Sequence, residues 1–381
     1  MKKFLAFITL LSLLFSLASC GTEYEPVPST EEEGKTVWTL SLGGTEYEVK
    51  YELYRAFFLS IKNSVDGGDS SVWQGADSAD YIKQIDAIIL GYAADIFAAF
   101  AVCKNIGYDL YSAEVESTIE GYIKAGVEGG VVVVPTWDGI VTDVTVEGNG
   151  SYEEYLKSLA AMNLNYSAQE LLYRYYIALR AIDSYYIGTY SVDNIEDEIK
   201  VGAYEYTRDN VYDFYMSDDA VRVIRHTFAA NIDYKPEERI ERDRLLIEEA
   251  AMYGEEQVVN CIIGLGAMTS PTELSSGTVV GRYNLDRAYA KDYIDAAFST
   301  KVGSASSAIV INDGLEHSYN VIYRAEKSDA HFDANYSAIA YVYLKNAVGK
   351  ILFDARASLI ESATPSDFLT SLDRSLIQMQ G

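Results

Sequence analysis

The sequence contains few cysteines, few histidines and little positive charge. Its 381 residues include three Cys and three His, and 57 Asp and Glu outnumber 30 Lys and Arg, for a formal net charge of −27. Cys103 and Cys261 fall in predicted helices of different regions, which favours free buried thiols over a disulfide or a metal pair. His226, His317 and His331 have no metal-ligand spacing, so no metal or other cofactor is expected. The acidic balance argues against nucleic acid and anionic membrane surfaces as partners, because both would repel the chain.

The first twenty residues have the features of a targeting signal. Two lysines precede an apolar core, residues 4–15, which is too short to span a membrane as a mature helix. The sequence LASCG at residues 17–21 resembles a bacterial lipobox, so cleavage before Cys20 would leave this cysteine to carry a lipid. The alternative is an ordinary signal peptide that ends in cysteine by chance. The favoured interpretation predicts an extracytoplasmic protein that is lipid-anchored to the bacterial cell membrane.

The segment behind this signal has the composition of a tether. Residues 1–19 are predicted to be the signal peptide, and residues 20–36 a polar, acidic, proline-containing linker. No later segment is expected to be long and apolar enough to span a bilayer. The lipid would then be the only membrane anchor.

The mature chain is long enough for two or three domains, and a hydrophobic content of 49% supports real cores. The pattern over residues 37–218 predicts a mainly helical domain that begins with a hairpin turning at Gly43-Gly44. Apolar periodicity predicts a long, mostly buried helix over Asp77–Ile106 and another helix over Asp193–Tyr215. A valine-rich β-ribbon over residues 129–150 interrupts the helices.

Residues 219–327 have the pattern of a small α+β module. Val221–Phe228 alternate as in a strand, with His226 near the end. Tyr289–Gly303 have the period of a short amphipathic helix, which a glycine ends. Two further β segments carry a hairpin signal between them: Ser307–Ile311 and His317–Arg324, around Asn312-Asp313-Gly314.

Three motifs of this module resemble the parvulin family of peptidyl-prolyl isomerases. The first strand ends in RHTF, where the family has a histidine followed by apolar residues. The helix reads YIDAAFSTKVGSAS, where the family has Phe-Glu-x-Ala-Ala-Phe-x-Leu-x-x-Gly-x-x-Ser. The last strand reads SYNVIYR, where the family has Gly-Tyr-His-Ile-Ile. The second motif is the most specific, because the spacing of its Ala-Ala-Phe and glycine is kept without a gap.

The order of the predicted elements also resembles that of SurA- and PrsA-type foldases. In those proteins a hairpin and several helices precede a parvulin module, and a final helix returns to the first domain. The resemblance implies an α+β fold. A mostly helical domain over residues 37–218 would be completed by C-terminal helices of residues 328–381, with a parvulin-like module at 219–327. The ribbon at 129–150 lies outside this plan.

The resemblance implies a site for proline isomerisation, which needs neither a nucleophile nor a metal. The barrier to turning an X–Pro amide is about 20 kcal/mol, and a dry apolar pocket tolerates the twisted amide better than the planar one. By resemblance, the proline pocket would be lined by Tyr289, Tyr293 and Phe298. His226 and Asn320 would take the positions of two family histidines. Because asparagine replaces the second histidine, the resemblance implies a partly degraded site.

Each of these residues also has a structural interpretation, and three functions stay open. The tyrosines and the phenylalanine could be core residues, and His226 a satisfied histidine at a strand end. One function is a lipid-anchored isomerase and foldase, with unfolded or secreted client polypeptides as partners. The second is a catalytically inactive holdase chaperone of the same fold. The third is a solute- or glycan-binding lipoprotein, for which an aromatic surface and the lipobox would be the basis.

Replacing Cys20 by alanine should release the protein from membranes, because it removes the predicted lipid acceptor. Fractionation of cells that produce the variant should recover it in the supernatant. Cys103→Ala, the same substitution at a cysteine outside the signal, should leave the protein in the membrane fraction. A processed Cys20→Ala protein that stays with the membrane would show that the lipid is not the anchor.

Overall fold

The computed structural model describes residues 31–66, 70–73, 78–137, 141–188, 195, 198–201, 204–229, 236–266, 274, 276–283, 291–307, 309–312, 317–374 and 377. The chain divides into two compact units. Of the described residues, the helical unit contains those up to Tyr185 together with those from Ile351 onward, and the sheet unit contains those from Tyr186 to Lys350. Helices combined with small antiparallel sheets confirm the predicted α+β class.

The elements up to Tyr186 are β1 (Thr36–Leu42), β2 (Thr45–Lys50), α1 (Tyr51–Asp66), a 3-10 helix (Ser70–Trp73), α2 (Ser78–Asn105), α3 (Ala113–Glu128), β3 (Gly130–Pro135), β4 (Val141–Val146), α4 (Tyr152–Ala161) and α5 (Tyr166–Tyr186). Those that follow are β5 (Glu198–Val201), β6 (Tyr204–Thr207), α6 (Arg208–Met216), β7 (Ala220–Ala229), α7 (Pro236–Ala251), α8 (Glu255–Gly264), β8 (Thr278–Gly281), α9 (Lys291–Ser299), β9 (Ile309–Asn312) and β10 (His317–Ala325). The last elements are α10 (Asp329–Ala334), α11 (Tyr336–Ser362), β11 (Thr364–Pro365) and α12 (Asp367–Ser371).

The helical unit is built around α2, as the apolar periodicity predicts. About half of the residues of α2 are buried, among them Ile89 and Ile96 at 0% exposure. The first two strands form the predicted hairpin, with a left-handed backbone at the Gly43-Gly44 turn. β11 pairs antiparallel with β1, with Trp38 opposite Pro365. The chain's last strand therefore completes the sheet that its first hairpin begins.

The membrane-span expectation needs a correction at α2. This helix of 28 residues is long and apolar enough to cross a membrane by length and composition alone. In the structure, 72% of its most apolar stretch is buried inside the protein. Such burial is typical of a core helix, since that face is already covered by protein.

Polar contacts join the C-terminal segment of the helical unit to its first helices. Arg356 Nε lies 2.8 Å from Asp95 Oδ1. Arg374 Nη2 donates to Asp86 Oδ2 at 2.9 Å, and Tyr54 donates its hydroxyl proton to Asp86 Oδ1 at 2.7 Å. The second half of α11 and the residues after it therefore belong to the same core as α1 and α2.

Two local predictions have different outcomes. The valine-rich ribbon is confirmed, since β3 and β4 pair antiparallel with Val132 opposite Val144. The helix predicted over Asp193–Tyr215 is wrong in its first half, where β5 and β6 form an antiparallel hairpin. Tyrosine and threonine in β6 favour strands, and Thr207 with Asn210 forms a capping box that begins α6 at Arg208.

The sheet unit contains a four-stranded antiparallel sheet in the order β8-β7-β10-β9. The sheet unit extends beyond residues 219–327, because α6 and the first half of α11 also belong to it. The rings of Phe214 and Tyr343 lie 5.3 Å apart between centroids. Asn346 Oδ1 accepts a hydrogen bond of 2.7 Å from the backbone N–H of Tyr283.

Gly281→Ala should destabilise the sheet unit, because a Cβ there would lie 2.6 Å from Asn346 Oδ1. Overpacking of this kind costs about 1–3 kcal/mol of unfolding free energy, which urea denaturation measures. The control is Gly264→Ala in α8, where nothing lies within 4 Å of the added Cβ. Alanine there should be neutral or slightly stabilising, because of its higher helix propensity. Equal changes in the free energy of unfolding for the two variants would show that the Asn346 side chain moves aside at no cost in stability.

Candidate functional site

The candidate site lies where β7 pairs with β10. The strands are antiparallel, with Thr227 opposite Asn320 and His226 opposite Val321. Successive residues of a strand point to opposite faces of the sheet, and residues directly opposite each other share a face. Thr227 and Asn320 therefore lie on one face, and His226 and Val321 lie on the other.

Asn320 is fully buried on the face that α9 covers. Thr227 Oγ1 donates a hydrogen bond of 2.7 Å to Asn320 Oδ1. Ile322, two residues further along β10, shares this face and belongs to an apolar cluster that contains Val221, Val223, Val280, Tyr293 and Ala297. The amide and the hydroxyl thus sit at the border of an apolar core.

The side chain of His226 lies on the opposite face, against α7. It is 1% exposed, and its Nε2 lies 3.4 Å from Oδ2 of the fully buried Asp243. Arg242 donates two hydrogen bonds to Asp243 Oδ1, at 3.0 and 2.7 Å. The apolar cluster of this face comprises Ile224, Ile247, Val258, Ile262, Leu274, Val321, Tyr323 and Ala325.

The structure thus places His226 and Asn320 on opposite faces of the sheet, whereas the resemblance implies that both belong to one site for proline isomerisation. The sheet instead pairs Thr227, one residue further along β7, with Asn320. A shift of one residue turns a side chain to the other face. Thr227, which the sequence comparison did not single out, occupies the position beside Asn320. Only the cross-strand register identifies it.

The predicted pocket residues have different environments. Tyr293 is 0% exposed and belongs to the α9-face core cluster. Phe298 is half-buried, and the guanidinium carbon of Arg282 lies 4.2 Å from the centre of its ring. Tyr289 and the predicted lipidation site Cys20 lie outside the described residues. Of the predicted pocket residues that the structure describes, Tyr293 is therefore part of the packed core, and the ring of Phe298 is partly covered by Arg282.

The electrostatics of the site favour neutral hydrogen-bonding groups. Burial lowers the pKa of His226, and the nearby Asp243 only partly opposes this shift. Burial also raises the pKa of Cys261, on the same side of the sheet. Within the described ranges, His, Cys, Asp and Glu form no cluster of three or more suited to a metal ion. The Thr227–Asn320 pair is able to orient an amide, but it offers no group for acid–base chemistry near neutral pH.

Comparisons with known proteins do not assign this chain to a family. No protein-family model matches the chain, and no curated protein matches it. Among solved structures, the chain aligns with the crystal structure of foldase protein PrsA from Streptococcus pneumoniae. The alignment has 11% sequence identity, covers 84% of this chain and 92% of that chain, and has a TM-score of 0.21. A likeness at this TM-score carries no weight for fold or function.

The sheet unit should lose stability on mild acidification. Burial lowers the pKa of both His226 and His331 in the folded state. The unfolded chain, with histidine pKa values near about 6.5, then binds more protons, so the free energy of unfolding falls as pH drops below that value. Urea denaturation at about pH 7.5 and pH 5.5 measures the difference.

His226→Gln should reduce this pH dependence, because glutamine keeps a donor toward Asp243 but does not titrate. His331→Gln should remove a separate share, since His331 accepts from the Tyr215 hydroxyl and donates to the Ser276 carbonyl away from Asp243. A wild-type protein that becomes more stable on acidification in this window would contradict the lowered pKa values.

Proposed function

We propose that this protein is a lipid-anchored, extracytoplasmic chaperone that binds unfolded or secreted polypeptides. In this proposal the parvulin-like module is a scaffold and not an efficient isomerase. The lipobox and the tether support the location, and the three parvulin-like motifs support the chaperone class. The observation that carries the loss of catalysis is the position of His226, on the opposite face of the sheet from Asn320.

A proline isomerase must admit its substrate to a pocket that holds the twisted amide. Tyr293, which would line that pocket, has 0% exposure and packs among Val223, Val280 and Ile322. A substrate proline would reach this ring only if the core opened. Loss of one transition-state hydrogen bond costs about 1–3 kcal/mol, or about 10- to 100-fold in rate. Slow isomerisation at most is therefore expected.

Client binding requires exposed apolar surface, and the sheet unit has it. Met252 and Tyr253, where α7 turns into α8, are 74% and 73% exposed. Leu245 and Leu246 on α7 are also exposed. Large exposed apolar patches mark interaction sites in proteins, and we propose that these four side chains contribute to one. The formal net charge of −27 favours cationic or neutral clients.

The purified mature chain should suppress aggregation of a denatured client while it isomerises a proline tetrapeptide slowly or not at all. His226→Ala should leave both results unchanged apart from lower stability, because the side chain lies away from Asn320. Tyr293→Trp should lower stability by overpacking, with little effect on client binding at a temperature where it stays folded.

Two outcomes would contradict this function. Fast isomerisation that His226→Ala abolishes would show that histidine acts in catalysis. Failure of the wild-type chain to suppress aggregation of any denatured client would remove the chaperone assignment. An active parvulin in the same tetrapeptide assay is the control for the measurement itself.

The second candidate is a weak isomerase that uses the Thr227–Asn320 pair. The 2.7 Å hydrogen bond between them is the observation in its favour, because it orients the Asn320 amide. Asn320 is fully buried, so this site also requires that the core open to admit a substrate carbonyl. Thr227→Val and Asn320→Ala would then each lower kcat/KM by about tenfold or more in folded protein. Unchanged slow rates in both variants would exclude this pair as the site.

A further inference from the structure

Hydrogen bonds hold the ribbon of β3 and β4 at the end where β3 turns towards β4. The Tyr108 hydroxyl donates to the carbonyl of Pro135 at 3.3 Å, just before Trp137. Trp137 donates from its backbone to Ser184 Oγ at 2.8 Å and from its indole to the Ile106 carbonyl at 3.2 Å. A two-stranded ribbon is marginal by itself, so these contacts and the packing of one face maintain it.

The inner face of the ribbon is buried on the side of β3. Val132 and Val134 are 4% and 0% exposed, and Val132 packs against α3 at Gly121. Val144, which lies opposite Val132 in β4, is only half-buried. The core therefore covers β3 more completely than β4, and β4 is the outer strand of the ribbon.

The outer face of the ribbon is apolar on one strand and acidic on the other. Val131 and Val133 of β3 are 59% and 49% exposed. Thr145 and Asp143 lie directly opposite them in β4, and both are exposed. A single exposed valine needs no explanation, but two on one strand beside an exposed carboxylate form a small mixed surface.

The edge of β4 is open in the part of the chain that the structure describes. There, β3 and β4 pair only with each other, so alternate backbone groups of β4 point away from the ribbon. Proteins often protect such edges with lysine, proline or a bulge. The sequence VTDVTV of β4 contains neither lysine nor proline, and its pairing with β3 is continuous.

We propose that the open edge of β4 binds an extended client segment as a third strand, and that the segment alternates apolar and basic residues. This inference rests on the chaperone function and names the class of client. Apolar side chains of the segment extend the inner face beside Val144. Basic side chains point to the outer face, where their charges meet Asp143 on the neighbouring strand.

Charge complementarity selects this client over an acidic one. Two more exposed acids lie at the end of the ribbon away from its turn, Glu128 before β3 and Glu147 after β4, because Gly130 pairs with Val146. Lys124 lies 4.0 Å from Glu128, but both side chains are largely exposed, so the pair screens little of the field. An extended basic segment gains both the backbone pairing and the attraction, whereas an acidic segment meets repulsion.

The test uses two peptides of about ten residues, one alternating Val and Lys and one alternating Val and Glu, with the mature chain. Fluorescence anisotropy should show binding of the Val–Lys peptide only. Asp143→Lys should weaken that binding about tenfold and create binding of the Val–Glu peptide. Glu361→Lys makes the same charge change on α11 and should leave both peptides unaffected.

N-methylation tests whether the peptide adds as a strand. Methyl groups on the amides that pair with β4 should abolish binding, and methyl groups on the alternate amides should not. Hydrogen exchange should slow in residues 141–146 when the peptide binds. Equal binding of both methylated forms, or loss of binding only in Met252→Asp/Tyr253→Asp, would overturn the proposal.

Three further outcomes separate this inference from the proposed function. If Asp143→Lys changes neither aggregation suppression nor peptide binding, the strand site is overturned. The proposed chaperone function is then unaffected. Absence of both peptide binding and aggregation suppression in the wild-type chain would overturn the chaperone function as well. A concentration-dependent dimer that protects residues 141–146 without peptide would show that a second copy occupies the edge, and would overturn the client proposal.

Discussion

The sheet unit depends on the cross-strand register of β7 and β10. This register decides which residues of the two central strands face α9 and which face α7 and α8. It gives Asn320 a threonine as neighbour and gives His226 a buried aspartate. Because strand side chains alternate, no local adjustment of a side chain would return His226 to the other face.

Buried polar contacts at the other end of β7 support the same register. The Arg222 guanidinium pairs with Glu255 at 2.6 Å and also donates to the backbone carbonyls of Ser276 and Glu326. His331 donates to the Ser276 carbonyl at 2.6 Å. One side chain of β7 thus links α8, the segment before β8 and the segment after β10. Slippage of β7 would leave the buried Arg222 guanidinium without these partners, which is unfavourable.

The two units present different surfaces for the proposed binding of clients. The sheet unit presents apolar side chains at the α7–α8 turn, and the helical unit presents a ribbon with an open edge. Neither surface depends on the Thr227–Asn320 pair or on the position of His226. Binding spread over broad surfaces tolerates substitution, whereas catalysis fails when a few groups lose their geometry. The proposed function, client binding with little or no isomerase activity, rests on this difference.

The sequence by itself determined the elements with strong local signals. The apolar period of α2, the Gly43-Gly44 hairpin and the valine ribbon are all visible in it. It misplaced the start of α6, because helical period and strand propensity compete in residues 193–207 and only packing decides between them. It also grouped His226, Asn320 and Tyr293 in one pocket. Tertiary structure alone assigned their faces and buried Tyr293, because motif spacing does not specify how distant strands pair.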